Sequence, residues 1–326
     1  MTATDRGQKG PQVERRANLS YDEFAEQYLY ANRPVIVTDA LRGWRAVERW
    51  TPQFFKQEFG DMRFTLTDDL KKKVYGEGSG PVEYEMAEFI DQVLQSTERN
   101  PAPYLRNKIL NELFPSLKND IEPLPPYIRP NWLPERYLVK RVREQLNRGA
   151  AIELYIGGAG ASFPVLHYDG AATHAFLMQI YGRKQYIVYS PDQTRFLYPK
   201  AEKPNLSMLK DLDKPDLEKF PLFAQAVSST FFLEPGELLF VPSLWWHTAK
   251  ILTPSITVSI NTVNGSNWGN LVNYVAERCP NPVVSVGSRV YLNVGGAWRS
   301  WRDRKWPRRA RAGIAGPRIL PQERVG

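Results

Sequence analysis

Cysteine occurs once in 326 residues and histidine three times. The lone Cys279 excludes an intrachain disulfide and fits a reducing compartment. No Cys/His-rich zinc module is present, and no stretch approaches the roughly 18 uncharged apolar residues of a membrane span. The opening MTATDRGQKGPQVERR lacks an apolar segment for secretion. The expectation is a cytoplasmic protein, or a nuclear one in a eukaryotic host. Acidic residues are scarce at one end: Trp298 to Gly326 holds eight Arg and one Lys against Asp303 and Glu323, which is +7 of the chain's net +8. The body is therefore nearly neutral, and the basic pI of 9.4 reports a tail and not a basic groove. With 24% charged and 12% aromatic residues the chain has the composition of a compact globular protein.

The organisation read from the sequence has five parts. Residues 1–18 are polar and expected to be disordered. Residues 19–100 form a helical and strand support: LSYDEFAEQYLYANRP reads as a helix capped by Ser20, Val35 to Val37 as a strand, Thr51-Pro52 as a helix start, Phe64 to Thr67 as a strand, and Glu85 to Gln95 as an amphipathic helix. Residues 101–265 form the core. Its proline-rich and aromatic start, to Pro134, reads as ordered loop and short helix, followed by short strands with Gly and Pro turns: AIELYIGG, PVLHYD, HAFLMQIYG, KQYIVYSP, STFFLEPGE, ELLFVP, HTAKILTP and SITVSINTV. That succession predicts a mainly β protein with helices, its core an antiparallel barrel or jelly roll. Residues 266–297 are a C-terminal extension and 298–326 an Arg/Trp-rich basic tail.

Two of the three histidines fall in one constellation. VLHYD carries His167 and Asp169 at i and i+2, which on a strand present imidazole and carboxylate to the same face. FVPSLWWH supplies the distant His247. Two neutral imidazoles and a carboxylate form the facial set that holds non-haem Fe(II) and leaves three adjacent positions, two for a 2-oxo acid and one for O₂. The bland alternative is a chance three-residue pattern. His174 is read as a satisfied core or supporting histidine. Trp245 and Trp246 either roof the site or pack in the core.

Lys184 opens a strand after a Gly turn, seventeen residues past His167. If that strand neighbours the HxD strand, the ammonium can anchor the far carboxylate of a dicarboxylate whose 2-oxo acid end chelates the metal. This makes Lys184 the candidate 2-oxoglutarate ligand, against the alternative of a solvated lysine at a strand edge. Arg183 is expected to face the other way.

RPVIVTDALRGW, VLHYDGAATHAFLMQIYGRKQYIVYSP, DLEKFPLF, EPGELLFVPSLWWH and SITVSIN together resemble the JmjC-domain 2-oxoglutarate oxygenases, over about Asn32 to Asn264. The style is similar to the small hydroxylase branch that includes the asparaginyl hydroxylase of hypoxia-inducible factor. The resemblance implies a double-stranded β-helix (jelly-roll, cupin) core with α/β N-terminal support, iron ligation by His167, Asp169 and His247, and a salt bridge from Lys184 to 2-oxoglutarate. It also implies that Tyr104 touches the cosubstrate and that Asn261 is the late-strand asparagine. The chain departs from the family in having Pro164 three residues before the first ligand and no asparagine between HxD and the lysine, where Thr173 is the nearest substitute.

The expected activity is Fe(II)-, 2-oxoglutarate- and O₂-dependent hydroxylation of a C–H bond, with a protein side chain as acceptor. Alternatives are a small molecule or modified RNA base as substrate, N-methyl demethylation, and a non-catalytic metal-binding cupin. The tail, with Trp298, Trp301 and Trp306 among its arginines, suits an acidic protein partner, nucleic acid or an anionic membrane surface, unless the tryptophans simply pack and the arginines stay solvated. The sequence assigns no oligomeric state.

Overall fold

The computed structural model describes residues 8–67, 74–78, 80–133, 151–277 and 281–305. Strands β1 (Gln8–Lys9), β2 (Glu14–Arg16), β3 (Val35–Val37), β4 (Arg63–Leu66), β5 (Val82–Glu85) and β6 (Leu105–Ile109) alternate with helices α1 (Tyr21–Phe24), α2 (Arg45–Arg49), α3 (Pro52–Phe59), α4 (Met86–Gln95) and α5 (Leu110–Leu113). Strands then dominate: β7 (Glu153–Gly157), β8 (His174–Tyr181), β9 (Lys184–Tyr189), β10 (Pro199–Lys200), β11 (Lys203–Ser207), β12 (Val227–Leu233), β13 (Leu238–Val241), β14 (Trp246–Ile251) and β15 (Ser255–Thr262). Cys279 lies outside the described residues, as do most of the charged turn after β4, residues 134–150 and the tail beyond Lys305.

The helix starts follow local chemistry. Ser20 caps α1 through a capping box with Glu23, and a π-helical turn, Ala25–Leu29, continues it. Thr51 accepts from the Phe54 N–H at 3.0 Å with Pro52 in the first turn of α3.

A seven-stranded sheet in the order β2-β3-β13-β8-β15-β7-β6 and a four-stranded sheet in the order β1-β12-β9-β14 make the jelly-roll core. Period-two alternation decides which face does what. On β15, Ile256, Val258 and Ile260 join Leu154 and Ile156 of β7, Phe176 and Met178 of β8 and Phe240 of β13 in a core shared with Phe24, Tyr28, Trp50, Phe55 and Phe89 of the support region. The other face of β15 carries Ser255, Thr257 and Ser259, which are polar yet buried. This alternation is not the usual division between core and water. One face carries the main core, while the other builds a polar interior within the jelly roll.

Two expectations are corrected. Residues 8–16 are not frayed: β1 pairs parallel with β12, and β2 parallel with β3, so the N-terminal segment covers one edge of each sheet. The partner of β1 lies more than two hundred residues away in sequence, and the Arg15 guanidinium pairs with Glu237, so nothing local marks the segment as a strand. VLHYD, in turn, is not a regular strand. Its residues bond alternately to both sides, Leu166 O accepting from Ser207 N and His167 N donating to His247 O, so only isolated bridges form.

The chain divides into two compact units, residues 1–267 and 268–326. The described part of the second is α6 (Trp268–Glu277) and α7 (Pro282–Lys305), joined by a hydrogen bond from Trp268 Nε1 to Leu292 O at 2.8 Å. Helix α7 takes in Trp298 to Lys305, the first residues of the basic tail. Among the described residues no helix is long and apolar enough to cross a membrane.

Candidate metal centre

His167, Asp169 and His247 form the only cluster of potential metal-ligating side chains among the described residues, with their ligand atoms all within 4.8 Å of one another. His167 Nε2 lies 3.8 Å from Asp169 Oδ1, and His247 Nε2 3.9 Å from Asp169 Oδ2. Both rings are held the same way: Nδ1 of His167 meets Val165 O at 3.0 Å, and Nδ1 of His247 meets Trp245 O at 3.0 Å. A carbonyl only accepts, so each Nδ1 carries a proton and each Nε2 is the nitrogen turned towards Asp169. This is the tautomer a metal-binding imidazole needs. The site is mostly closed to solvent. Burial, and then the neighbouring His247, hold His167 well below the usual histidine range, while burial raises the Asp169 carboxyl against the opposing influence of His247 and a hydrogen bond from Asn261. Two imidazoles and a carboxylate are a donor set suited to a divalent cation.

The turn that follows Asp169 is strained. Ala171 and Ala172 have φ of 58° and 51°, a left-handed conformation that non-glycine residues disfavour. Ala172 O accepts from Ser243 Oγ at 2.7 Å and from Asn267 Nδ2 at 3.1 Å, bonds that hold the turn and with it the carboxylate.

A cavity of about 120 Å³ adjoins the cluster, lined by His167, Asp169 and His247 together with Tyr104, Tyr155, Lys184, Ser259 and Asn261. Lys184 is 2% exposed, and burial pushes its ammonium down to about 7. Its Nζ donates to Tyr104 Oη at 3.0 Å and forms no ion pair among the described residues, although an ammonium has three donors to satisfy. A buried cation facing a cavity without a counter-ion fits a carboxylate ligand. Gly182 sets its register: at φ +69° a Cβ there would lie 1.8 Å from Pro254 O, so the turn into β9 requires glycine. The strand of Lys184 pairs with β14, which carries His247, and with β12, and does not neighbour VLHYD as the sequence suggested.

The sequence candidates thus divide. His167, Asp169, His247, Lys184, Tyr104 and Asn261 converge on one cavity. Thr173 does not line it, and its hydroxyl is directed to Gly170 O at 3.4 Å. His174, on the opposite face of β8, accepts from Ser243 N at Nδ1 (3.0 Å) and meets Ser266 Oγ at Nε2 (2.8 Å); burial depresses it to about 3, as befits a satisfied neutral histidine. Trp246 is fully buried with Nε1 on Thr194 Oγ1, and Trp245 Nε1 bonds Asn32 O, so both pack in cores. Arg183 turns away from Lys184 to pair with Glu234 at 2.6 Å. The sequence reading missed Tyr155, Glu153 and Asn107 in the cavity wall; the one available signal was Tyr155, polar-tipped and alternating with apolar Leu154 and Ile156 in ELYIG.

A jelly roll holding two imidazoles and a carboxylate between its sheets defines a cupin-type metal protein. The family described as "Cupin-like domain" matches residues 21–262, and the chain belongs to it, in the JmjC line of Fe(II)- and 2-oxoglutarate-dependent oxygenases. It is 30% identical to Lysine-specific demethylase 8 of Xenopus tropicalis over 74% of this chain and 50% of that protein. It is 26% identical to Arginine-specific demethylase JMJ20 of Arabidopsis thaliana over 76% of this chain and 56% of that protein. With HSPB1-associated protein 1 of Homo sapiens it shares 37% identity over 35% of this chain and 23% of that protein. The chain spans about half the length of the first two of these relatives.

Proposed function

We propose that this protein is an Fe(II)- and 2-oxoglutarate-dependent oxygenase that hydroxylates a C–H bond on a protein side chain. The observation that carries the reading is the shared cavity, with a buried Lys184 ammonium that has no counter-ion among the described residues at one part of its wall and the His167–Asp169–His247 cluster at another. His167 Nε2, His247 Nε2 and an Asp169 oxygen would hold the metal, and Lys184 with Tyr104 would receive the remote carboxylate of the cosubstrate. When bound, iron supplies oxidative decarboxylation of 2-oxoglutarate to succinate and CO₂, one oxygen atom of O₂ going to succinate and the other to the acceptor C–H.

The protein's own part is orientation and exclusion of water. Val165 O and Trp245 O fix both imidazole tautomers, Asn261 holds the Asp169 carboxylate, and the Phe163 ring stacks on His167 with centroids 4.4 Å apart. A larger groove of about 520 Å³ shares Tyr104, Phe163, Thr248 and Ala249 with the inner cavity and offers the acceptor a way in. Its lysines are paired locally, Lys210 with Glu77 and Lys250 with Glu98, each at close range.

The names of two relatives favour a second reading, in which the hydroxylated carbon is an N-methyl group and the product breaks down with loss of formaldehyde. Mass spectrometry of candidate protein acceptors separates the two: a gain of one oxygen supports stable hydroxylation, and loss of a methyl group with formaldehyde release supports demethylation. Cosubstrate turnover that accompanies neither, across both protein and methylated-peptide panels, would move the acceptor to another chemical class.

A further inference from the structure

Tyr155 on β7 lines the inner cavity with Lys184, and its phenol both donates and accepts within the protein. Its hydroxyl donates to Glu153 Oε2 at 2.6 Å and accepts from Asn107 Nδ2 at 3.2 Å, while the same Asn107 Nδ2 lies 3.3 Å from Glu153 Oε2. With its proton committed to Glu153, the phenol has no donor for a ligand, and what it offers the cavity is its ring. The Lys184 Nζ lies 5.6 Å from the Tyr155 ring centre and 5.3 Å from that of Tyr104, within the range of cation–π attraction, and the two rings stand 6.2 Å apart.

We propose that Tyr155, held by Glu153 and Asn107, is a positioning residue that together with Tyr104 fixes the Lys184 ammonium and so sets the length of the dicarboxylate the cavity accepts. This rests on the 2-oxo acid reading given above. The anchor for the remote carboxylate is a flexible four-carbon side chain, and a flexible cation by itself selects poorly for length. The Tyr155 ring and the Tyr104 hydroxyl convert it into a fixed point. Glu153 has a second consequence. A carboxylate in the wall of a dianion site repels the ligand, and the donors from Tyr155 and Asn107 both engage its Oε2. Burial, and then the Glu153 carboxylate, keep the Tyr155 phenol protonated, so the grip persists at working pH.

The test is calorimetric titration, without O₂, of the full chain loaded with Mn(II), using 2-oxoglutarate and its one-methylene-longer homologue 2-oxoadipate. Wild type is expected to prefer 2-oxoglutarate. Tyr155→Leu, which removes the ring, should weaken 2-oxoglutarate binding about tenfold and shrink the preference for it over 2-oxoadipate at least about fivefold. Tyr155→Phe, which keeps the ring but loses the grip, should weaken 2-oxoglutarate about threefold. Glu153→Gln, which keeps an acceptor for the phenol, should bind at least as well as wild type. Wild-type preference in Tyr155→Leu overturns the assignment, as does wild-type affinity in Tyr155→Phe should the leucine variant fail to fold. If wild type loaded with metal binds neither acid, the 2-oxo acid reading itself falls, and this inference with it.

Discussion

His247 stands opposite Val188 and Lys184 opposite Ile251 in the antiparallel ladder of β9 and β14, so imidazole and ammonium project from the same face of the smaller sheet, four residues apart in register. At roughly 3.3 Å per residue the offset along the strands is about 13 Å. Both side chains reach into that interval, one for a metal and one for a carboxylate. The ladder fixes the distance between the two ends of the candidate site.

Metal binding should stabilise the fold through the cluster alone. Mn(II) at a hundredfold excess over its dissociation constant should add about 2.7 kcal/mol, a rise of several degrees in the unfolding temperature. His247→Ala should abolish the rise while remaining folded. A metal-dependent shift that survives in His247→Ala would place the ion elsewhere.

Lys184→Met should weaken 2-oxoglutarate binding by at least about 2 kcal/mol without unfolding the protein, because among the described residues the ammonium it removes has one hydrogen bond and no ion pair. A pH signature follows from burial holding Lys184 down to about 7 in the free protein. A bound dianion favours the ammonium and raises its pKa. Below pH 7 the free protein already carries the charge; above it, binding must take up a proton, so affinity falls as pH rises, by up to about tenfold per unit. Calorimetry at pH 8 in buffers of different ionisation heats should report uptake approaching one proton, absent in Lys184→Met. Equal binding heats in all buffers would contradict this.

His174 provides a test of the core independent of ligands. Burial depresses it to about 3, so between that value and the unfolded value of about 6.5 only the unfolded chain takes up the proton. Stability from this group is complete above about pH 6.5 and lost as pH falls, by about 1.4 kcal/mol per unit. Denaturant unfolding at pH 7, 6 and 5 should show a shallower acid slope in His174→Gln than in wild type, whatever the variant's stability at pH 7. Identical slopes would mean that His174 is charged in the fold.

Gly157→Ala should act on the site through packing. A Cβ there would lie 2.7 Å from Tyr104 Cδ2 and 2.6 Å from Ile251 Cδ1. Something must move, at a stability loss of about 1–3 kcal/mol. If Tyr104 moves, its bond to Lys184 is lost and 2-oxoglutarate affinity falls with it. Unchanged affinity alongside reduced stability would show that Ile251 alone gives way.

Much of the site was legible because the chemistry lies in short segments: HxD in VLHYD, His247 after a proline-bounded apolar run, and Lys184 after a glycine that only a tight turn explains. Strand periodicity also revealed β7, β8, β9 and β12 to β15. What stayed hidden depends on long-range pairing. Residues 8–16 become strands only because the edges of both sheets are open to them. The Asn107–Glu153–Tyr155 group is assembled by the pairing of β6 with β7, across 48 positions of sequence, and no single segment announces it. Trp245 and Trp246 were ambiguous for another reason: aromatic rings suit a site roof and a core equally well, and only the partners of their N–H groups, Asn32 and Thr194, decide for the core.

The most direct test of the central claim is succinate formation from 2-oxoglutarate with Fe(II), ascorbate and O₂, by wild type, His167→Ala and Lys184→Ala. An Fe(II)/2-oxoglutarate oxygenase built on this cavity should show slow turnover without acceptor in wild type and none above background in either variant. Turnover that persists in both variants, or a metal-loaded wild type that neither turns over nor binds 2-oxoglutarate, would contradict it.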